Sequence, residues 1–276
     1  MINRRDTLGL LAAAVIPVPA FATGVPRYEV RKKLQKYFTD EGTVGAFAAF
    51  RADEQHVIVS DNSRAREAVL PASTFKIPNS VIALETGVVA DPDKDIFKWD
   101  GVTRSIPEWN KDHTLRSAIA VSAVPVYQEI ARRVGAERMQ KYVDAFEYGN
   151  GDIGGGIDRF WLTGGLRISP LQQIAFVDKL RRGALPVSKR AQDLTRDILP
   201  ATKVGDSIIR AKTGLTGVTD KAMIDGTKTS VGWLVGWAEK GSAHTVFALN
   251  MDMRDQALSP RRMAIAQKCL NDIGAI

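Results

Sequence analysis

Apolar and polar positions change their period several times along this chain. Tyr28, Val30, Leu34 and Phe38 recur near a helical repeat and predict an amphipathic helix. Two short β-like runs follow at 44–50 and 56–60, with the polar stretch 51–55 as their hairpin connection. Pro71-Ala72 then leads into a helix starting near Ser73. Pro78 falls close enough to that start to cost one backbone bond or a slight kink. Residues 90–185 read mostly as helix and loop. The glycine-rich stretch 149–156 lacks the Gly-Lys-Ser/Thr ending of a phosphate loop and is expected to be a flexible loop. Three β-rich runs come next, at 207–212, 231–238 and 245–251. Ser259-Pro260 has the form of an N-cap followed by a first-turn proline, and Met263, Ala266, Leu270 and Ile273 continue at helical spacing. The expected fold is α/β, of the α+β type. Strands from both ends form a central antiparallel sheet, flanked by helices, with a mostly helical subdomain at about 90–185.

The N-terminus adds a separate segment. Arg4-Arg5 precedes the apolar run 8–16, and Ala20-Phe21-Ala22 fits a small-residue cleavage site. Residues 1–22 are therefore expected to be a cleaved export signal, leaving 23–276 as a single domain in a periplasm of the Gram-negative type. The paired arginines leave the general and the twin-arginine export routes both open. No later stretch has 18 consecutive apolar residues, so no membrane insertion is expected.

Composition changes this picture little. The 276 residues are 45% hydrophobic and 25% charged, ordinary for a globular protein. The net charge of +7 is dispersed, without a run of five like charges, which argues against nucleic acid as a partner. Cys269, the one cysteine, cannot form an internal disulfide and falls on the apolar side of the C-terminal helix as a buried thiol. The histidines His56, His113 and His244 are scattered and form no zinc motif, so no metal is expected.

The candidate chemistry starts at Ser73-Thr74-Phe75-Lys76. Three residues apart on a helix, a hydroxyl and an amine share one face. A nucleophilic serine needs a base, and lysine serves only when burial or nearby positive charge lowers its pKa. An oxyanion hole, a proton shuttle and a cation for an acidic substrate must complete such a site. Downstream, Ser122-Ala123-Val124 falls in a helix–loop region, and Lys212-Thr213-Gly214 ends a β-run. Glycine there would let a substrate lie close against the strand.

With these motifs the chain resembles the class D β-lactamases, the oxacillinases of the serine β-lactamase and penicillin-binding protein superfamily. The landmarks are Pro71-Ala-Ser-Thr-Phe-Lys76, Trp99-Asp-Gly101, Ser122-Ala-Val-Pro-Val-Tyr127, Tyr148-Gly-Asn150, Phe160-Trp-Leu162, Lys212-Thr-Gly214 and Gly232-Trp-Leu-Val-Gly236. Ser-Ala-Val stands where class A enzymes carry Ser-Asp-Asn, which puts apolar Val124 in place of the asparagine.

The resemblance implies a β-lactamase/transpeptidase-like fold and hydrolysis of β-lactam antibiotics, penicillins foremost. Ser73 would attack the lactam carbonyl, with the amides of Ser73 and Leu215 as oxyanion hole. Lys76 would carry a carbamate derived from carbon dioxide or bicarbonate and act as general base. Phe75, Val124, Trp161 and Leu162 would wall its pocket, and the Trp161 indole would hold the carbamate. Ser122 would relay a proton to the lactam nitrogen, with Lys212 setting the local potential. Thr213 and an arginine, Arg262 or else Arg261, would bind the substrate carboxylate beside Gly214. Leu215, where many relatives have an aromatic or small polar residue, would border the pocket. No organic cofactor or metal is implied, and relatives include monomers and homodimers. A DD-peptidase or a β-lactam sensor domain that acylates without turnover is the alternative.

Overall fold

The computed structural model describes residues 25–224, 227–254 and 256–276, so the export segment expected at 1–22 lies outside the described residues. In chain order its regular elements are β1 (Arg27–Val30), α1 (Lys36–Thr39), β2 (Gly45–Arg51), β3 (His56–Val59), α2 (Lys76–Glu85), α3 (Leu115–Ala120), α4 (Val124–Val134), α5 (Ala136–Ala145), α6 (Pro170–Arg181), α7 (Lys189–Ile198), β4 (Ala201–Val204), β5 (Ser207–Ile224), β6 (Thr227–Lys240), β7 (Ala243–Met253) and α8 (Arg261–Asp272). The seven strands form one sheet in the order β1-β3-β2-β7-β6-β5-β4.

Both faces of this sheet are covered, and the strands show it by burying successive residues on opposite sides. Ala48, Phe50, Trp233, Val235, Val246 and Ala248 join a core that includes residues of α2, α4, α5 and α6. Their neighbours Phe47, Ala49, Leu234, Phe247, Leu249 and Met251 join a second core with α8, which includes Cys269. The sheet is mixed: β2, β4, β5, β6 and β7 pair antiparallel, as expected, but β1 pairs parallel with β3.

That parallel pair corrects the helix expected from Tyr28 to Phe38. Arg27–Val30 is a strand in register with His56–Val59, and only a 3-10 turn at Lys32–Gln35 and the short α1 follow. Pairing with a sheet edge outweighs a sparse helical repeat of four apolar positions. The 44–60 hairpin is present as β2 and β3. The β5 and β6 runs extend well past their apolar stretches, so Lys212-Thr213-Gly214 lies within β5 rather than at its end. Ser259 makes no side-chain cap: Pro260 occupies the N-cap of α8, and the Ser259 carbonyl accepts a bond from Arg262 Nε at 3.0 Å.

The helical region lies between β3 and β4 and opens on α2. True capping boxes start α3 (Thr114 with Ser117) and α6 (Ser169 with Gln172). Residues 149–156 form turns that Asn150 ties to the following segment, through its amide to Arg167 O and its Nδ2 to Gly165 O. Gly149 has φ +65°, and a Cβ there would lie 2.1 Å from Arg167 O, so this turn requires glycine.

Candidate active site

A 3-10 turn, Ala72–Phe75, runs directly into α2 and presents Ser73. Ala72 holds a left-handed φ of +48°, a conformation that costs a non-glycine residue about 1–3 kcal/mol. Its neighbours compel it. The Ala72 amide donates to Trp161 O at 3.0 Å, and Thr74 Oγ1 donates to Pro71 O at 2.7 Å while accepting from Gln173 Nε2 at 2.9 Å. Ser73 is half-buried between these two pinned residues. Lys76 Nζ lies 2.8 Å from Ser73 Oγ, as the three-residue spacing requires.

Lys76 is completely buried. Desolvation, aided by the nearby charge of Lys212, drives its pKa well below the ordinary lysine value. Phe75 stacks on Trp161 with ring centroids 5.3 Å apart and meets Phe160 and Tyr148 edge-on. The Trp161 indole N–H is buried there with no hydrogen-bond partner. A buried donor left unpaired costs about 1–3 kcal/mol, and such atoms call for an account. Leu162 is half-buried against the same core. Val124 is half-buried at the first position of α4. One turn later the Tyr127 ring lies 5.2 Å from Lys76 Nζ.

Ser122 sits in the turn between α3 and α4, with a left-handed φ of +59°. Two of the four non-glycine positive-φ residues among those described, Ala72 and Ser122, are therefore in or beside candidate catalytic segments. On the sheet side, β4 pairs with β5 only from Ser207 to Arg210. Beyond that point the 3-10 turn lies against β5. A Cβ on Gly214 would stand 3.0 Å from Pro71 O and 3.2 Å from Thr74 Cγ2. Gly214→Ala is expected to lower stability by about 1–3 kcal/mol through overpacking, read as a lower midpoint in denaturant unfolding.

The cations on this side are buried in series. Lys212 is 2% exposed, and burial together with Arg262 brings its pKa down to about 7. Its Nζ donates to Thr213 O at 3.1 Å. Arg262 is 8% exposed, donates from Nη1 to Gly214 O at 2.6 Å, and has its own pKa lowered by burial to about 10. Arg261 points outward and pairs with Glu41 at 3.1 Å. Thr213 is exposed, whereas Leu215 is half-buried on the α8 side of the sheet.

The site thus sets a half-buried serine against a buried lysine, with a second buried lysine on the strand beneath. The chain matches the penicillin binding protein transpeptidase domain over residues 30–273. It is 44% identical over 243 residues to β-lactamase OXA-5 of Pseudomonas aeruginosa, covering 87% of this chain and 88% of that one. To β-lactamase OXA-48 of Klebsiella pneumoniae it is 43% identical over 261 residues, 94% of each. The crystal structure of FUS-1 (OXA-85), a class D β-lactamase from Fusobacterium nucleatum, superposes with a TM-score of 0.82 at 34% identity, over 90% of this chain and 99% of that one. The chain belongs to the class D β-lactamases. As a member it is a hydrolase of β-lactams that works through a serine acyl-enzyme.

In this class D enzyme, several site residues carry no signal of their own in the sequence. Tyr127 and Gly232 stand inside recognisable motifs, yet only packing reveals what each does. A Cβ on Gly232 would meet Met253 Sδ at 2.1 Å and Arg262 Cδ at 3.2 Å, so its bare backbone makes room chiefly for Met253 and also for the arginine. Gln173 and Trp233 likewise act at a distance. Gln173 links Thr74 to the Tyr148 hydroxyl, and the Trp233 indole donates to Leu70 O at 2.9 Å.

Proposed function

We propose that the enzyme hydrolyses β-lactam antibiotics, penicillins foremost, with Ser73 as nucleophile and Lys76 carrying a carbamate. The observation that carries this reading is Lys76 itself, fully buried 2.8 Å from Ser73 Oγ with its pKa pressed down by desolvation. Only a neutral amine reacts with carbon dioxide, and burial supplies one. The unpartnered Trp161 indole N–H, on the ring stacked against Phe75, suits an anionic acceptor. The residues present therefore fit the group. When bound, the carbamate supplies a carboxylate-like general base for acylation and for deacylation.

The remaining roles fall to this chain's own side chains and amides. Ser73 Oγ attacks the lactam carbonyl, and the amides of Ser73 and Leu215 take up the developing oxyanion. The Ser122 hydroxyl passes a proton to the departing lactam nitrogen. Lys212, with a pKa of about 7, sets the potential there. Thr213 and Arg262 bind the substrate carboxylate, and Gly214 lets the substrate lie along β5. Phe75, Trp161, Leu162 and Val124 keep water from the lysine. The enzyme is made with a cleaved signal at 1–22, a single domain follows from 23, and it works in the periplasm as a monomer or homodimer, reached by the general or the twin-arginine route. No helix among the described residues is long and apolar enough to cross a membrane.

The test is turnover of a penicillin in buffer depleted of bicarbonate. Activity is expected to fall and to return when bicarbonate is restored, with the acyl-enzyme mass on Ser73 accumulating in between. Turnover indifferent to bicarbonate would sink the carbamate.

A further inference from the structure

Tyr127 of α4 is buried against Lys76 and has no part in the roles above. Its ring lies 5.2 Å from Lys76 Nζ, and its position is fixed from three sides. The phenol oxygen is 2.8 Å from Ser80 Oγ. Ser80 in turn donates to the backbone carbonyl of Lys76 at 2.8 Å. That bond uses the single Ser80 proton, so the phenol is the donor in the first pair. Asn79 Nδ2 also donates to Tyr127 O at 3.3 Å. The ring is thereby tied to the same helical turn that carries the lysine.

An aromatic face attracts a cation above it and offers a neutral amine far less. We propose that the Tyr127 ring sets how tightly Lys76 holds carbon dioxide, by favouring the ammonium over the uncharged forms of the nitrogen. This rests on the carbamate reading above. In the step concerned, the nitrogen lone pair forms a bond to the carbon of carbon dioxide and one amine proton leaves to solvent. An ammonium has no lone pair, so a proton and carbon dioxide compete for the same nitrogen.

The other groups bearing on Lys76 push differently. Burial and Lys212 of β5 both disfavour the ammonium, and Arg262 acts behind Lys212. Tyr148, beside Thr74, and Tyr127 are kept neutral by burial. The ring is thus a counterweight to these groups, keeping carbamylation reversible instead of saturated. Tyr127 is a positioning and tuning residue, not a catalytic one.

The experiment replaces Tyr127 with phenylalanine (Tyr127→Phe) and then with mono-, di- and trifluorinated phenylalanines of nearly the same shape. A parallel series of fluorinated tyrosines keeps the bond to Ser80, should loss of that bond impair folding. Isotope-labelled bicarbonate is titrated into each protein at several pH values, down to those at which the ammonium competes, and NMR of the carbamate carbon reads occupancy without reference to activity. Fluorine withdraws density from the ring face, so half-saturating bicarbonate is expected to fall stepwise, by about tenfold across the series. Equal half-saturation throughout a series in which the carbamate signal is present overturns this inference alone. No carbamate signal in the parent enzyme at any bicarbonate concentration overturns it together with the carbamate reading.

Discussion

Lys76→Met is expected to lower turnover by about 10⁴-fold while making the protein more stable. The activity loss follows from the proposed role of Lys76 as base for Ser73, since groups that act as a unit cost this much when one is lost. The stability gain follows from burial. Lys76 is 0% exposed, among Phe75, Tyr127 and their neighbours. A methionine of similar volume fills that space with no polar atom to desolvate. The gain is expected to be about 1–3 kcal/mol, or several degrees in melting temperature for a chain of this size.

The pH dependence gives that prediction a sign. Because the folded pKa lies below the ordinary lysine value of 10.5, the unfolded chain binds more protons between the two pKa values. Wild-type stability therefore rises with pH across that window, and the variant lacks this contribution. Thermal unfolding of both in bicarbonate-free buffer should show the largest advantage for the variant at low pH, shrinking towards pH 10.5. A variant less stable than wild type at neutral pH would contradict the reading of Lys76 as a strained, neutralised amine.

Arg262→Ala is expected to reduce kcat/KM for penicillins by about 100-fold, mainly through KM. A charge-assisted pair with the substrate carboxylate is worth roughly that much. A second effect separates this from simple damage. Arg262 is one of the two causes that depress the Lys212 pKa to about 7, and its charge acts by repulsion. Removing it should move the Lys212 pKa upward, and with it the corresponding limb of the pH profile of kcat/KM. Arg261→Ala is the control: that side chain is half-exposed and paired with Glu41, so steady-state constants should stay within about twofold. If both variants behaved alike, Arg262 would lose its assigned place.

Much of this was legible in the order of residues, and the illegible parts have common causes. The Ser73–Lys76 pair follows from helical spacing alone, and the β2–β3 hairpin follows from a polar break between two apolar runs. The choice between Arg261 and Arg262 did not follow, because adjacent arginines differ only in which face of α8 the sheet covers. The strand Arg27–Val30 is not legible locally because its partner, His56–Val59, lies outside any window that reads it. Tyr127 was hidden for the reverse reason: a buried aromatic at a helical position looks like ordinary core until its distance to Nζ is known. Ala72 and Ser122 give no hint of left-handed backbone, since neither is a residue type that favours it.

The pairing of β2 with β7 fixes when in the life of the chain an active enzyme can exist. Gly45–Arg51 lies along residues 245–251, so β2 waits for the last strand of the sheet. By the time Lys76 has been synthesised, neither β5 nor Arg262 exists to complete its surroundings. Contacts so distant in sequence form slowly, and the helices that pack on the sheet must stay soluble meanwhile without it. A chain stalled before residue 243 holds Ser73, Lys76 and β5 but lacks β7, which joins β2 to β6, and Arg262. The assembled sheet therefore depends on residues from 243 onward, which include β7 and Arg262.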